Sequence, residues 1–243
     1  GTFVHDVLEH VLQDAMFQQT VLPGWEDPIG GAENRRRLRE LTREAVDRYI
    51  QEKLGGLENQ SERFRYLFRR LLRSVQAVVD NVTQELAVSK FQPISFELGF
   101  GREKDLPPVE FTVDGVTLSI TGFVDRVDGW LHNGRLYLRV VDYKTGRKSF
   151  DLTEVWNGLG LQMLLYLFTL EAQGENYYGR PVEGAGVLYL PARDAILQGS
   201  RTMSDETWRK KLDKELTRSG LVLDDPGVIS AMESPGEQGY RFL

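Results

Sequence analysis

The stretch GFVDRVDGWLHNGRLYLRVVDYKTG, Gly122 to Gly146, constrains this chain more than any other. Asn133-Gly134 is a two-residue turn signal between two strand-like segments, so the stretch predicts a β-hairpin. Asp125 and Asp142 then fall near the open ends of the paired strands, and Lys144 follows Asp142 by two positions. Residues two apart on a strand share a face, so Asp142 and Lys144 project together and Tyr143 projects the other way. If Asp125 lies opposite, two carboxylates and one ammonium meet at one spot. Carboxylates that close repel unless a cation sits between them. Oxygen ligands of this kind suit Mg²⁺ or Mn²⁺, and an adjacent lysine can orient a water or offset developing negative charge. Such a set has the chemistry of phosphodiester hydrolysis.

The rest of the chain limits what this hairpin can belong to. Its 243 residues fit one large domain, or a core with an added portion. A 41% hydrophobic and 27% charged composition is that of a globular, soluble protein. The longest apolar run, Leu159 to Leu170, is interrupted by Gln162 and too short for a bilayer, so no membrane partner is expected. No secretory signal is visible. With no cysteine, no disulfide, zinc–thiolate or iron–sulfur site can be built within the chain, and a reducing cytoplasm is the compartment it fits. Net charge is −6. A nucleic-acid binder is usually basic, so binding would need locally clustered cations. The first third supplies a cluster: Arg35, Arg36, Arg37 and Arg39, then Arg63, Arg65, Arg69, Arg70 and Arg73. Solvated helix faces and a phosphate-facing surface are equally good readings of it.

The element order follows from periodicity. Val4, Val7, Leu8, Val11, Leu12 and Ala15 have helical spacing, with Thr2 as N-cap and His5 and Glu9 on one face. Leu22 to Gly31 reads as a loop. Helices are predicted over 32–54, closed by Gly55-Gly56, and over 61–88. Phe91 to Gly101 reads as a strand with Ile94, Phe96 and Leu98 on one side and Glu97 on the other. Phe111 to Leu118 reads as a hairpin about Asp114-Gly115, its second strand running on through Phe123 towards Asp128. One long buried helix is expected over 152–172, a strand over 182–190, a helix capped by Ser204, and a weakly patterned tail with a helical turn at 228–232. This gives an α/β fold: a central mixed sheet flanked by helices, the Asp142–Lys144 strand in its middle, after an N-terminal helical portion.

These residues resemble the PD-(D/E)xK nuclease superfamily in its RecB-like branch, nearest the nuclease domains of the B subunits of AddAB-type helicase–nucleases. GFVDRVD resembles the motif whose aspartate, here Asp125, holds a metal. VVDYKTG resembles the motif of the second acid and the catalytic lysine, here Asp142 and Lys144. GTFVHDVLEH resembles the G-x-x-x-H motif, with His5 as a further metal ligand. LQMLLY resembles the Q-x-x-x-Y motif, which puts Gln162 and Tyr166 near DNA.

The resemblance covers nearly the whole chain. It implies a PD-(D/E)xK core over 91–200 between a helical portion (1–90) and a C-terminal helix and tail (201–243), all one nuclease domain. It implies a metal shell of His5, Asp125, Asp142 and the Tyr143 carbonyl, Lys144 as the catalytic cation, and DNA contacts from Gln162, Tyr166, Arg126 and Arg147. It further implies Mg²⁺ or Mn²⁺, single-stranded DNA, a helicase–nuclease partner subunit, and exonuclease work in double-strand-break repair. Glu97 is either a strand-face acid or a supporting ligand. The alternative reading is a weakly catalytic nuclease fold serving as a structural or DNA-end-binding module. The family's members carry four cysteines around this domain for an iron–sulfur cluster. Their absence here, with the abrupt start at Gly1, leads to the expectation of a fragment of a longer polypeptide. No G-x-x-x-x-G-K-[ST] loop occurs, so no ATPase is expected within the chain.

Overall fold

The computed structural model describes residues 3–18, 30–58, 60–144, 150–192, 205–236 and 239–243. Three helices come first: α1 Phe3–Leu12, α2 Gly30–Leu54 and α3 Glu62–Val88. Val4, Val7, Leu8 and Val11 form the buried stripe of α1, as their spacing dictates. α2 stops at Gly55 and Gly56, whose φ values of 64° and 94° suit glycine. Ser61 opens α3, its side chain accepting from the Phe64 N–H. The caps expected at Thr2 and Ser204, and residues 22–29 of the loop expected over 22–31, lie outside the described residues; Gly30 and Gly31, expected in that loop, instead open α2.

Five strands build the main sheet: β1 Gln92–Phe100, β4 Gly122–His132, β5 Arg135–Lys144, β6 Val182–Pro191 and β7 Ser219–Val222, in the order β1-β4-β5-β6-β7. The strand ending in Lys144 is central, as expected. β4 and β5 are joined by Asn133-Gly134, both in the left-handed region at φ 50° and 77°, the requirement of a type I′ turn. They pair antiparallel from His132↔Arg135 to Arg126↔Val141. β6 is parallel to β5, which demands a crossover. That crossover contains α4 Leu152–Trp156 and α5 Gln162–Tyr178. α6 Asp205–Leu216 and α7 Pro226–Met232 complete the chain, and no helix among the described residues is long and apolar enough to cross a membrane.

The sheet divides two cores. On one face Val141, Tyr143, Leu188 and Leu190 pack with the buried sides of α1, α2 and α3. On the other, Val127, Leu138, Val140 and Val187 pack with Met163, Tyr166, Leu167 and Leu170 of α5. Full burial of side chains of this size stabilises by about 1.5–3 kcal/mol each, which holds the strand ends in place between two layers.

Four expectations are corrected. The hairpin about Asp114-Gly115 exists, as β2 Val109–Val113 and β3 Val116–Ile120, but it forms a separate two-stranded sheet and does not run into β4. The predicted long helix over 152–172 is broken: Gly158 (φ 78°) and Gly160 (φ 68°) separate α4 from α5, and α4 buries no residue. The alternation predicted for β1 also fails. Phe96 packs with the helical core while Leu98 lies in the α5 core. The register shifts between Pro93 and Ser95, and Glu97 has φ 45°, so the strand changes phase at Glu97. Finally, the tail contains β7. Gly220 (φ 154°) sits so close to the Val187 carbonyl of β6 that a Cβ there would overlap it, so the signal for this strand is a glycine, which periodicity reads as a breaker.

Candidate active site

Continuing the β4–β5 register one step past Arg126↔Val141 sets Asp125 opposite Asp142, where the hairpin opens towards α1. Tyr143 links the elements through its backbone. Its N–H donates to Asp125 Oδ2 at 2.6 Å, and its carbonyl lies 3.2 Å from His5 Nε2. His5 Nδ1 is 3.4 Å from Asp125 Oδ1, so the imidazole bridges strand β5 and the carboxylate. α1 presents His5 on the edge of its buried stripe, which places it against the strand end.

Glu97 joins them. Ligand atoms of His5, Glu97 and Asp125 all lie within 4.8 Å of one another. The phase change of β1 delivers this side chain, because Phe96↔Arg126 and Leu98↔Val124 flank the Glu97–Asp125 position. Sequence reasoning left Glu97 undecided. An acid inside an otherwise apolar strand was the available signal, but a positive φ at glutamate is not legible in a sequence.

Asp142 and Lys144 share a face as expected, with Lys144 Nζ 2.6 Å from Asp142 Oδ2. That oxygen is buried, and the Lys144 ammonium is its partner. Lys144 is partly exposed and its Nζ lies 5.1 Å above the Tyr189 ring.

The electrostatics are those of crowded like charges. Burial raises the Glu97 carboxyl above the usual range, and the charges of Asp125 and Glu9 add to this against His5. Burial also raises Asp142, with Asp125 adding and Lys144 opposing. Burial pulls His5 down, but the Asp125 hydrogen bond and charge, Glu97 and the Tyr143 carbonyl outweigh it, so its pKa is raised. The carboxylates of Glu97 and Asp125 and the imidazole of His5, with Asp142 beside them, form a hard N/O donor set that a divalent cation fits.

Two expected DNA contacts are not surface groups. Arg126 is 1% exposed and forms a two-point pair with Asp128; an alternating strand turns it into the helical core, away from Asp125. Tyr166 is fully buried, stacked on Phe100 with centroids 4.4 Å apart. Its hydroxyl accepts from the Gln162 Nε2 at 2.7 Å, and it lies where a Cβ at residue 122 would overlap it. Of the two motif residues only Gln162 is exposed. Arg147 lies outside the described residues.

A mixed sheet with a histidine, strand-end acids and an adjacent lysine is the arrangement of one class of protein, the nucleases. The profile of the PD-(D/E)XK nuclease superfamily matches residues 1–237, and this chain belongs to that superfamily. It is 34% identical over 244 residues to the B chain of the ATP-dependent helicase/deoxyribonuclease of Acetivibrio thermocellus, covering 100% of this chain and 21% of that protein. The proteins of the same name from Clostridium novyi (33% over 237 residues, 96% of this chain and 20% of theirs) and Geobacillus kaustophilus (36% over 205 residues, 84% and 18%) are similar too. The chain thus spans about a fifth of the length of these curated relatives.

Proposed function

We propose that this chain is the nuclease portion of a helicase–nuclease, hydrolysing phosphodiester bonds of single-stranded DNA as a divalent-cation-dependent exonuclease. The observation that carries this is the convergence of His5, Glu97 and Asp125, with the Asp142–Lys144 pair next to them at the open end of the central hairpin. The relatives are named as one component of a helicase/deoxyribonuclease, which supports a helicase–nuclease partner chain and a role in processing DNA ends for repair. A cytoplasmic setting goes with that role. The division into a helical portion, a core and a tail within one domain belongs to the same proposal.

His5, Glu97, Asp125 and Asp142 would hold Mg²⁺ or Mn²⁺, with the Tyr143 carbonyl beside them. When bound, the cation supplies Lewis acidity at the phosphate and cancels the repulsion among the carboxylates. The chain's own groups do the rest. The Tyr143 N–H fixes the Asp125 carboxylate, and the Tyr143 carbonyl and Asp125 fix the His5 ring. Lys144 has no lone pair as an ammonium and is no ligand. Its ammonium is paired with Asp142, beside which it can hold an attacking water and offset charge gathering on phosphate oxygens. Gln162, held by the Tyr166 hydroxyl, presents its remaining amide groups to the nucleic acid, with Arg147 as a further contact. Retention of both acids and the lysine favours this reading over a non-catalytic end-binding module.

The test is hydrolysis of an end-labelled oligodeoxynucleotide in Mn²⁺, with Mn²⁺ affinity by calorimetry. Lys144→Ala is expected to keep the affinity within a few-fold and lose about a hundred- to a thousand-fold in rate. Asp142→Ala is expected to lose the affinity. Parental cleavage by Lys144→Ala would sink the assignment.

A further inference from the structure

The N-terminal half of α3 carries Arg63, Arg65, Arg69 and Arg73, all exposed, and none has an ion pair with a described residue. Tyr66 stands among them, 56% exposed. Tyr66, Arg69 and Arg73 are spaced i, i+3, i+7 and so form one stripe, flanked by Arg65 on one side and Arg63 on the other. The opposite side of the helix is buried: Phe68 packs on Phe3 of α1 with centroids 5.1 Å apart and on Phe64 at 6.0 Å. The stripe therefore faces outward on a helix half anchored to the one that supplies His5.

The α2 cluster differs. Arg36 is paired with Glu33, Arg37 with Asp14 and Glu44, and Arg48 with Asp6, so its cations are largely offset. In a chain of net charge −6, four exposed arginines around an exposed phenol, outnumbering the exposed Glu62 at the start of the same stripe, have the composition of a single-strand surface. Guanidiniums take phosphates and the ring stacks a base.

We propose that this face of α3 is a holding surface for single-stranded DNA, distinct from the cleaving groups, on which a long strand is retained while its end is processed. This rests on the nuclease reading for its biological sense, but the binding it asserts is separately measurable. Phosphate contacts come from Arg65, Arg69 and Arg73, and Tyr66 contributes stacking, which is indifferent to base identity.

The experiment measures fluorescence anisotropy of fluorescein-labelled dT20 in EDTA over a range of NaCl concentrations. Each lost phosphate contact lowers the slope of log affinity against log salt by about 0.7. The triple variant Arg65→Ala/Arg69→Ala/Arg73→Ala should therefore lose about two from the slope. Tyr66→Ala should weaken binding roughly tenfold with the slope unchanged, Tyr66→Phe should restore it, and the exposed α2 variant Arg43→Ala should behave as the parent. A parental slope in the triple variant, or no binding of dT20 by the parent at low salt, overturns the proposal. Poly-glutamate competing as well as dT20 at equal charge, with Tyr66→Ala inert, would make the face a site for acidic protein and also overturn it. Hydrolysis of thymidine 5′-p-nitrophenyl phosphate in Mn²⁺, a single-nucleotide substrate with no long strand to retain, is read on the same proteins. Unchanged rates with weakened dT20 binding support the holding surface; a parent that binds dT20 as described but hydrolyses nothing contradicts the nuclease reading alone.

Discussion

Arg126 and Asp128, two positions apart on one face of β4, form a two-point ion pair that no solvent reaches: Nε to Oδ1 at 2.7 Å and Nη2 to Oδ2 at 2.9 Å. Arg139 reaches Asp128 at 2.8 Å and Glu85 of α3 at 3.0 Å, and Arg218 bonds both Glu85 and Asn81. Three guanidiniums thus share two carboxylates between the sheet and α3. Arg126 also donates to the Tyr143 hydroxyl at 3.3 Å, so the network abuts the residue whose backbone holds Asp125 and His5.

Removing one partner of such a network strands the others. Asp128→Ala should destabilise the fold by about 3–5 kcal/mol, since it leaves two buried guanidiniums short of charge. At this chain length that is a melting-point drop of roughly 10 °C by calorimetry. A drop of one or two degrees would mean that water enters and solvates the arginines.

The same network sets an acid limit. Burial alone would raise the Glu85 carboxyl, but Arg218, Arg139 and Arg126 overcome it and bring it to about 2. A folded pKa below the unfolded one contributes stability that is full above about pH 4.5 and is lost as pH falls towards 2. The contribution is roughly 3 kcal/mol. Urea midpoints measured from pH 6 to pH 2 should fall in that window. In Glu85→Gln the starting stability should be lower and this part of the fall absent. An unchanged pH profile in Glu85→Gln would assign the acid limit to other groups.

Glu97 should trade stability for metal. Its carboxylate is crowded against that of Asp125, so Glu97→Gln should leave the metal-free protein as stable as the parent or more so. Mn²⁺ affinity should fall by at least the ten- to hundredfold typical of an outer-shell partner. Calorimetry on both forms checks the pair of effects. Parental affinity would reduce Glu97 to a strand-face acid.

Gly122 and Tyr166 should behave as one unit. Gly122→Ala drives a methyl group into the Tyr166 hydroxyl. Combining it with Tyr166→Phe removes the opposing oxygen. The coupling energy of the double-mutant cycle should exceed about 1 kcal/mol, and Gln162 loses its partner only in the variants lacking the hydroxyl. Additive costs would mean that the strand start shifts to admit the methyl.

The hairpin was legible because its signals are local: Asn133-Gly134 fixes the turn, and alternation from Leu136 to Val140 fixes the face. Asp125, Asp142 and Lys144 then fall together by arithmetic. His5 was legible only through its motif, since nothing local tells that a helix histidine will dock against a strand some 138 residues away. Arg126 was misread as a surface cation because Glu85 and Tyr143, which help to hold it, come from elsewhere in the chain. The break between α4 and α5 was missed because the apolar period survives across Gly158 and Gly160. The phase of β1 was missed because it depends on one backbone angle at Glu97.

That angle has a consequence for selection. At φ 45° a glutamate carries a backbone cost of order 1–2 kcal/mol that glycine does not. A population of variants sorted for folding alone would drift at position 97 towards glycine, shedding strain and charge together. A population sorted for turnover would hold the glutamate in place. The residue recovered at 97 would therefore record which of the two pressures had acted.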